Sequence, residues 1–127
     1  MSISNEQFDL WVGEAIDSLP EKAAEKINNV AFFVEDYPSE EQLKKARISR
    51  DETMSRLYLF GLYEGYVQSR KTNIGPVLPD RITIFRRPIL DRYSSEKAVK
   101  NKIISVVRHE IAHHFGSDEH GARKVGG

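Results

Sequence analysis

A chain of 127 residues with 19 basic and 19 acidic side chains carries no formal net charge, which argues against a surface built for nucleic acid or another polyanion. It contains no cysteine, so neither a disulfide framework nor cysteine-ligated zinc is available to it. One domain over residues 1–127 is expected at this length, with about two-thirds of the unfolded surface buried.

The opening Met1-Ser2-Ile3-Ser4-Asn5-Glu6 has no basic region followed by an apolar run, so a secretory signal is not expected. Apolar runs such as Val30-Ala31-Phe32-Phe33-Val34 are too short to cross a bilayer. The expectation is a cytoplasmic protein with no membrane partner. Phe8, Trp11, Val12, Ala15, Ile16 and Leu19 recur at three- and four-residue spacing and predict an amphipathic helix, capped by Ser4 and ended before Pro20. Trp11 lies on the apolar stripe and reads as core. A second helix is expected from Glu21 to about Asn28, with Pro20 suited to its first turn.

Val30 to Glu35, rich in branched and aromatic residues, reads as a buried strand. Asp36-Tyr37-Pro38-Ser39 is turn chemistry. Glu40 to about Met54 is charged at most positions, with Leu43, Ala46 and Ile48 as anchors, and reads as a helix or a solvated excursion. Leu57 to Val67 is aromatic-rich and interrupted by Gly61 and Gly65, which suggests a strand with a bulge or a close backbone approach. Thr72 to Pro79 reads as a loop. From Arg81 to Phe85 the chain alternates, Ile82 and Ile84 facing one way and Arg81, Thr83 and Phe85 the other. Pro79 and Pro88 at its ends favour an edge strand, able to pair with an extended peptide.

The last helix is expected to start at a Ser94 or Ser95 cap, with Glu96 in its first turn. Its predicted stripe is Ile104, Val107, Ile111 and Phe115, its predicted stop Gly116, and Ala122 to Gly127 a frayed tail. All four histidines fall in or just after this helix. His109, Glu110 and His113 form the pattern H-E-x-x-H. Residues four apart stack on one helix face, so His109 and His113 can share a metal while Glu110 stays beside it. Zinc hydrolysis needs that set: two neutral nitrogen ligands, an open position for water, and a carboxylate that takes the water's proton. The spacing after Gly116 favours Glu119 as third ligand, with Asp118 and then His120 as alternatives. His114 sits about 100° round from His113 and reads as a packing or hydrogen-bonding residue. Any one tyrosine could stabilise an oxyanion, and the sequence does not choose among them.

The run His109-Glu110-Ile111-Ala112-His113-His114-Phe115-Gly116 resembles the small bacterial zincin-like metallopeptidases, minimal zincins with a matrix-metalloprotease-like domain. Leu78 to Phe85, Gly61 to Gly65, and Ala15 to Pro20 followed by Asn29-Val30 carry the same resemblance, which spans most of the chain. It implies a compact α+β fold with a small mixed sheet beside an active-site helix, zinc as cofactor, and a peptide or protein substrate. The chain departs from larger metzincins in having Glu119 where they carry a third histidine. It also lacks a methionine below the site, since Met1 and Met54 both lie upstream. With eleven residues after Gly116, the first helices are expected to close the underside. Two function classes follow: a zinc-dependent peptidase with Glu110 as general base, or a non-catalytic binding domain stabilised by zinc. Nothing in the sequence sets the oligomeric state.

Overall fold

The computed structural model describes residues 2–25, 27, 29–50, 57–65 and 79–118, with the side chains of 48–50 and 116–118 outside the description. In chain order the elements are α1 (Asn5–Asp17), α2 (Glu21–Glu25), β1 (Val30–Glu35), α3 (Glu40–Arg50), β2 (Gly61–Glu64), β3 (Asp80–Phe85), α4 (Arg86–Arg92) and α5 (Glu96–Asp118). This is an α+β fold with a small mixed sheet. The loop expected at Thr72–Pro79 lies outside the described residues but for Pro79, and so does the tail.

Caps set the helix starts. Ser4 Oγ accepts from the Gln7 amide at 3.0 Å. At α3, Ser39 Oγ accepts from Gln42 N at 3.1 Å and Gln42 Oε1 accepts from Ser39 N at 2.8 Å, a reciprocal capping box. That box resolves the charged segment after Tyr37 into a helix, anchored by buried Leu43 and Ala46. Ser95, rather than Ser94, caps α5 by accepting from Ala98 N at 3.1 Å.

The sheet order is β1-β3-β2, with β1 parallel and β2 antiparallel to β3. Strand β3 is therefore central, and the edge assignment for Arg81–Phe85 is overturned. Its alternation holds: Ile82 and Ile84 join the core formed with α1 and α5, while Phe85 packs with Leu43, Ala46, Leu59 and Leu62 on the α3 face. Both faces are thus covered. Neither proline interrupts the ladder, since Pro79 precedes the strand and Pro88 sits in the first turn of α4, where a missing N–H leaves no helical bond unmade.

The sequence reading missed α4, because its seven residues are too short to show a stripe and Pro88 looked like a terminator. Its start is fixed from outside. Arg87 N donates to the Asp36 carbonyl at 3.0 Å, and Arg86 grips Asp9 through Nε and Nη2, both at 2.9 Å, and Asp36 through Nη1 at 3.0 Å. The Asp9 hydrogen bonds, working against partial burial, raise the Arg86 pKa above its usual value. The guanidinium thus ties α1, the end of β1 and α4 together.

Helix α5 is longer than expected, running through Gly116 to Asp118. Its buried face is also rotated. Val99, Ile103, Val106, Val107 and Ile111 are buried, as are Glu110 and His114, while Ile104 and Phe115 are only partly so. Two polar residues in a buried stripe are costly unless they are partnered or used.

Candidate metal centre

His109 and His113 lie one helical turn apart on an exposed flank of α5. Their Nε2 atoms are 3.2 Å apart and their ring centres 4.8 Å. Two nitrogens each about 2.0–2.1 Å from a tetrahedral zinc stand about 3.3–3.4 Å apart. The pair therefore fits that ion.

Glu110, between them in sequence, is turned inward and only 1 % exposed. The reason lies in β2. A Cβ built on Gly61 would fall 2.6 Å from Val106 Cγ1 and 3.2 Å from Glu110 Cγ. Only a glycine lets the strand backbone come this close to the helix. The close approach expected for this segment is found at Gly61, and among the described residues the strand runs Gly61–Glu64, Tyr66 and Val67 lying outside them. The buried Oε1 of Glu110 accepts no hydrogen bond from any described residue.

One residue beyond His113, His114 points into the protein and is 3 % exposed. Asp80 Oδ2 accepts from His114 Nδ1 at 2.8 Å and from the Tyr63 hydroxyl at 2.7 Å. The Tyr63 and His114 rings meet edge-on, with centres 5.7 Å apart. One carboxylate so links β2, β3 and α5. A helix carrying this anchor cannot roll without breaking the His114–Asp80 hydrogen bond and the edge contact with Tyr63, which keeps His109 and His113 on the flank beside β2. His114 is the hydrogen-bonding residue expected. Asp80 and Tyr63 were not singled out, although Asp80 shares the face of Ile82 and Ile84, where a lone acid signals a buried partner.

Residues 27–125 match the sequence profile of the zincin-like metallopeptidase family. The chain belongs to that family. No curated protein matches it. Zincins are zinc-dependent peptidases, so a metal-assisted hydrolase with peptide or protein substrates is the chemistry that membership brings. The match spans all three strands and α5, whereas α1 precedes it yet supplies Phe8, Trp11, Val12 and Ala15 to the core.

Against larger zincins, the third ligand is the open position. Glu119 and His120 lie outside the described residues, and Asp118 ends α5 with its side chain outside the description. Among the described residues, no three metal-ligating side chains cluster. Helix α1 meets α5 at Lys100, whose ammonium is 5.4 Å from the Trp11 ring centre. Lys100 precedes His109 by nine residues, half a revolution round the helix. No helix among the described residues is long and apolar enough to cross a membrane.

Proposed function

We propose that the protein is a zinc-dependent peptidase in which His109 and His113 are metal ligands, Glu119 completes the protein ligand set, and Glu110 is the general base. The observation that carries this reading is the 3.2 Å convergence of the two Nε2 atoms. Zinc, when bound there, supplies Lewis acidity toward a carbonyl oxygen and toward water.

The chain's own residues do the rest. The Glu110 carboxylate takes a proton from the attacking water and returns it to the departing amine nitrogen. Burial against Gly61 limits the rotamers open to that carboxylate, so it is held before substrate arrives. His114, through Asp80 and Tyr63, fixes the roll of α5 and with it the direction in which the two ligand nitrogens face. Among the described residues β2 is the sheet edge next to this flank. It takes over the peptide-pairing role once expected of Arg81–Phe85.

The test is zinc content measured together with cleavage. Protein reconstituted with zinc and dialysed should keep about one equivalent per chain, as a single structural or catalytic zinc site requires. It should cut members of a peptide library, and a chelator should stop it. Retention of that equivalent by the His109→Ala/His113→Ala double variant would contradict the assignment.

A further inference from the structure

Phe60 stands immediately before β2, and Lys102 of α5 lies over its ring, with Nζ 4.6 Å from the ring centre. The same ammonium is 5.8 Å from the centre of Tyr93, whose ring is 6.4 Å from that of Phe60. Alongside, Arg92 Cζ sits 4.1 Å over the ring of Tyr58, which is 53 % exposed. Arg81 and Arg86 are each paired with carboxylates, but neither Lys102 nor Arg92 has one within ion-pair distance among the described residues. Two cations thus rest on aromatic faces with no carboxylate among the described residues at ion-pair distance.

Their place on α5 gives them a use. Lys102 precedes His109 by seven residues, two helical turns, which puts it about 10 Å away and within about 20° of the same flank. Between them lies Val106, against which Gly61 packs. The aromatic–cation cluster and the histidine pair are therefore the two ends of one stripe bordered by β2.

We propose that this cluster is a substrate subsite that takes an acidic side chain of the peptide, about three residues from the bond held at the histidine pair. The proposal rests on the peptidase reading above. The spacing follows from an extended chain, which advances about 3.3 Å per residue and so covers about 10 Å in three. Phe60, Tyr93 and Tyr58 supply apolar walls for the side-chain stem. The cations, held over the rings, meet the carboxylate with little left to order. Stacked aromatics with cations can also receive single-stranded nucleic acid. A chain of zero net charge with two cations at the site favours the peptide.

The test measures binding separately from turnover. Zinc-loaded Glu110→Gln protein is applied to immobilised octapeptides in which Glu is moved through every position, each with a Gln-substituted partner. Glu peptides should bind about three- to tenfold more tightly than their partners at one position only, the range that one or two partly exposed ion pairs support. The preference should fade at high salt. It should vanish in Lys102→Gln/Arg92→Gln, with zinc content and Tm unchanged. If Glu110→Gln does not fold, the metal-free wild-type chain takes its place. Equal binding of Glu and Gln peptides, a preference that survives the double variant, or tighter binding of a single-stranded oligothymidylate would overturn the proposal. Cleavage by the zinc-loaded wild type separates the two readings. Acid-dependent binding without cleavage supports the subsite and removes the peptidase, whereas cleavage with no acid preference removes the subsite and leaves the peptidase.

Discussion

The ends of the sheet and the histidine flank of α5 treat their polar groups in opposite ways. Around the sheet, charges are matched: Arg86 with Asp9 and Asp36, Arg81 with Glu35 at 2.8 Å, Lys45 with Glu64. On α5, His109 and His113 converge at the surface, and Lys102 rests on aromatic rings with no carboxylate among the described residues at ion-pair distance. Matched groups are consumed in holding elements together, and removing one should cost stability alone. The groups on α5 are the ones proposed to take a metal or a substrate. His114 stands between the two sets: Asp80 holds it as a matched group, and through that bond it orients the helix that carries His109 and His113.

Four substitutions would break or sharpen that contrast. The largest effect is expected on the histidine flank. His109→Ala should weaken zinc binding by more than the 10–100-fold typical of losing a partner outside the ligand set, with the Tm of the metal-free protein unchanged. Competition with a zinc-binding dye and a thermal melt would show this. A matched charge should behave in reverse: Arg86→Ala should lose about 1–2 kcal/mol in denaturant unfolding, since Asp9 loses a bidentate partner and Asp36 a single bond while both carboxylates stay solvated, and zinc affinity should stay put.

Gly61→Ala falls between the regions, because its methyl group would collide with Val106 and crowd Glu110. It should cost about 1–3 kcal/mol as an overpacked contact and, unlike Arg86→Ala, should also depress cleavage, measured by kcat on the best library peptide. The smallest change is expected for Lys45→Ala. That exposed pair with Glu64 is worth about 0.5 kcal/mol or less, and a Tm shift of several degrees would show the matched charges to be more strongly coupled than proposed.

Much of this was legible in the sequence because the signals are local. The bounds of β1, the Ser4 cap, the alternation of β3 and the i, i+4 histidines each depend on a few neighbouring residues. What was hidden depends on partners far along the chain. Alternation tells which faces β3 presents but not which strands flank it, so two flanking prolines suggested an edge that β1 and β2 in fact cover. Short α4 is held by Arg86 reaching back 77 residues to Asp9, a pairing no window contains. The stripe of α5 was misphased for a chemical reason: choosing only apolar residues excluded Glu110 and His114, two buried polar side chains of which one lies against Gly61 and the other bonds Asp80. Glu119 falls outside the described residues, so the third ligand stands as proposed.

The central claim is that α5 carries a catalyst and not only a metal-stabilised helix, and Glu110→Gln tests it most directly. The amide keeps the shape of the side chain beside Gly61 and removes the proton acceptor. Zinc content should remain at the wild-type level, and cleavage of a responsive peptide should fall by about 10²–10⁴-fold, the usual contribution of a positioned general base. Zinc-dependent cleavage at an undiminished rate in Glu110→Gln would contradict the account.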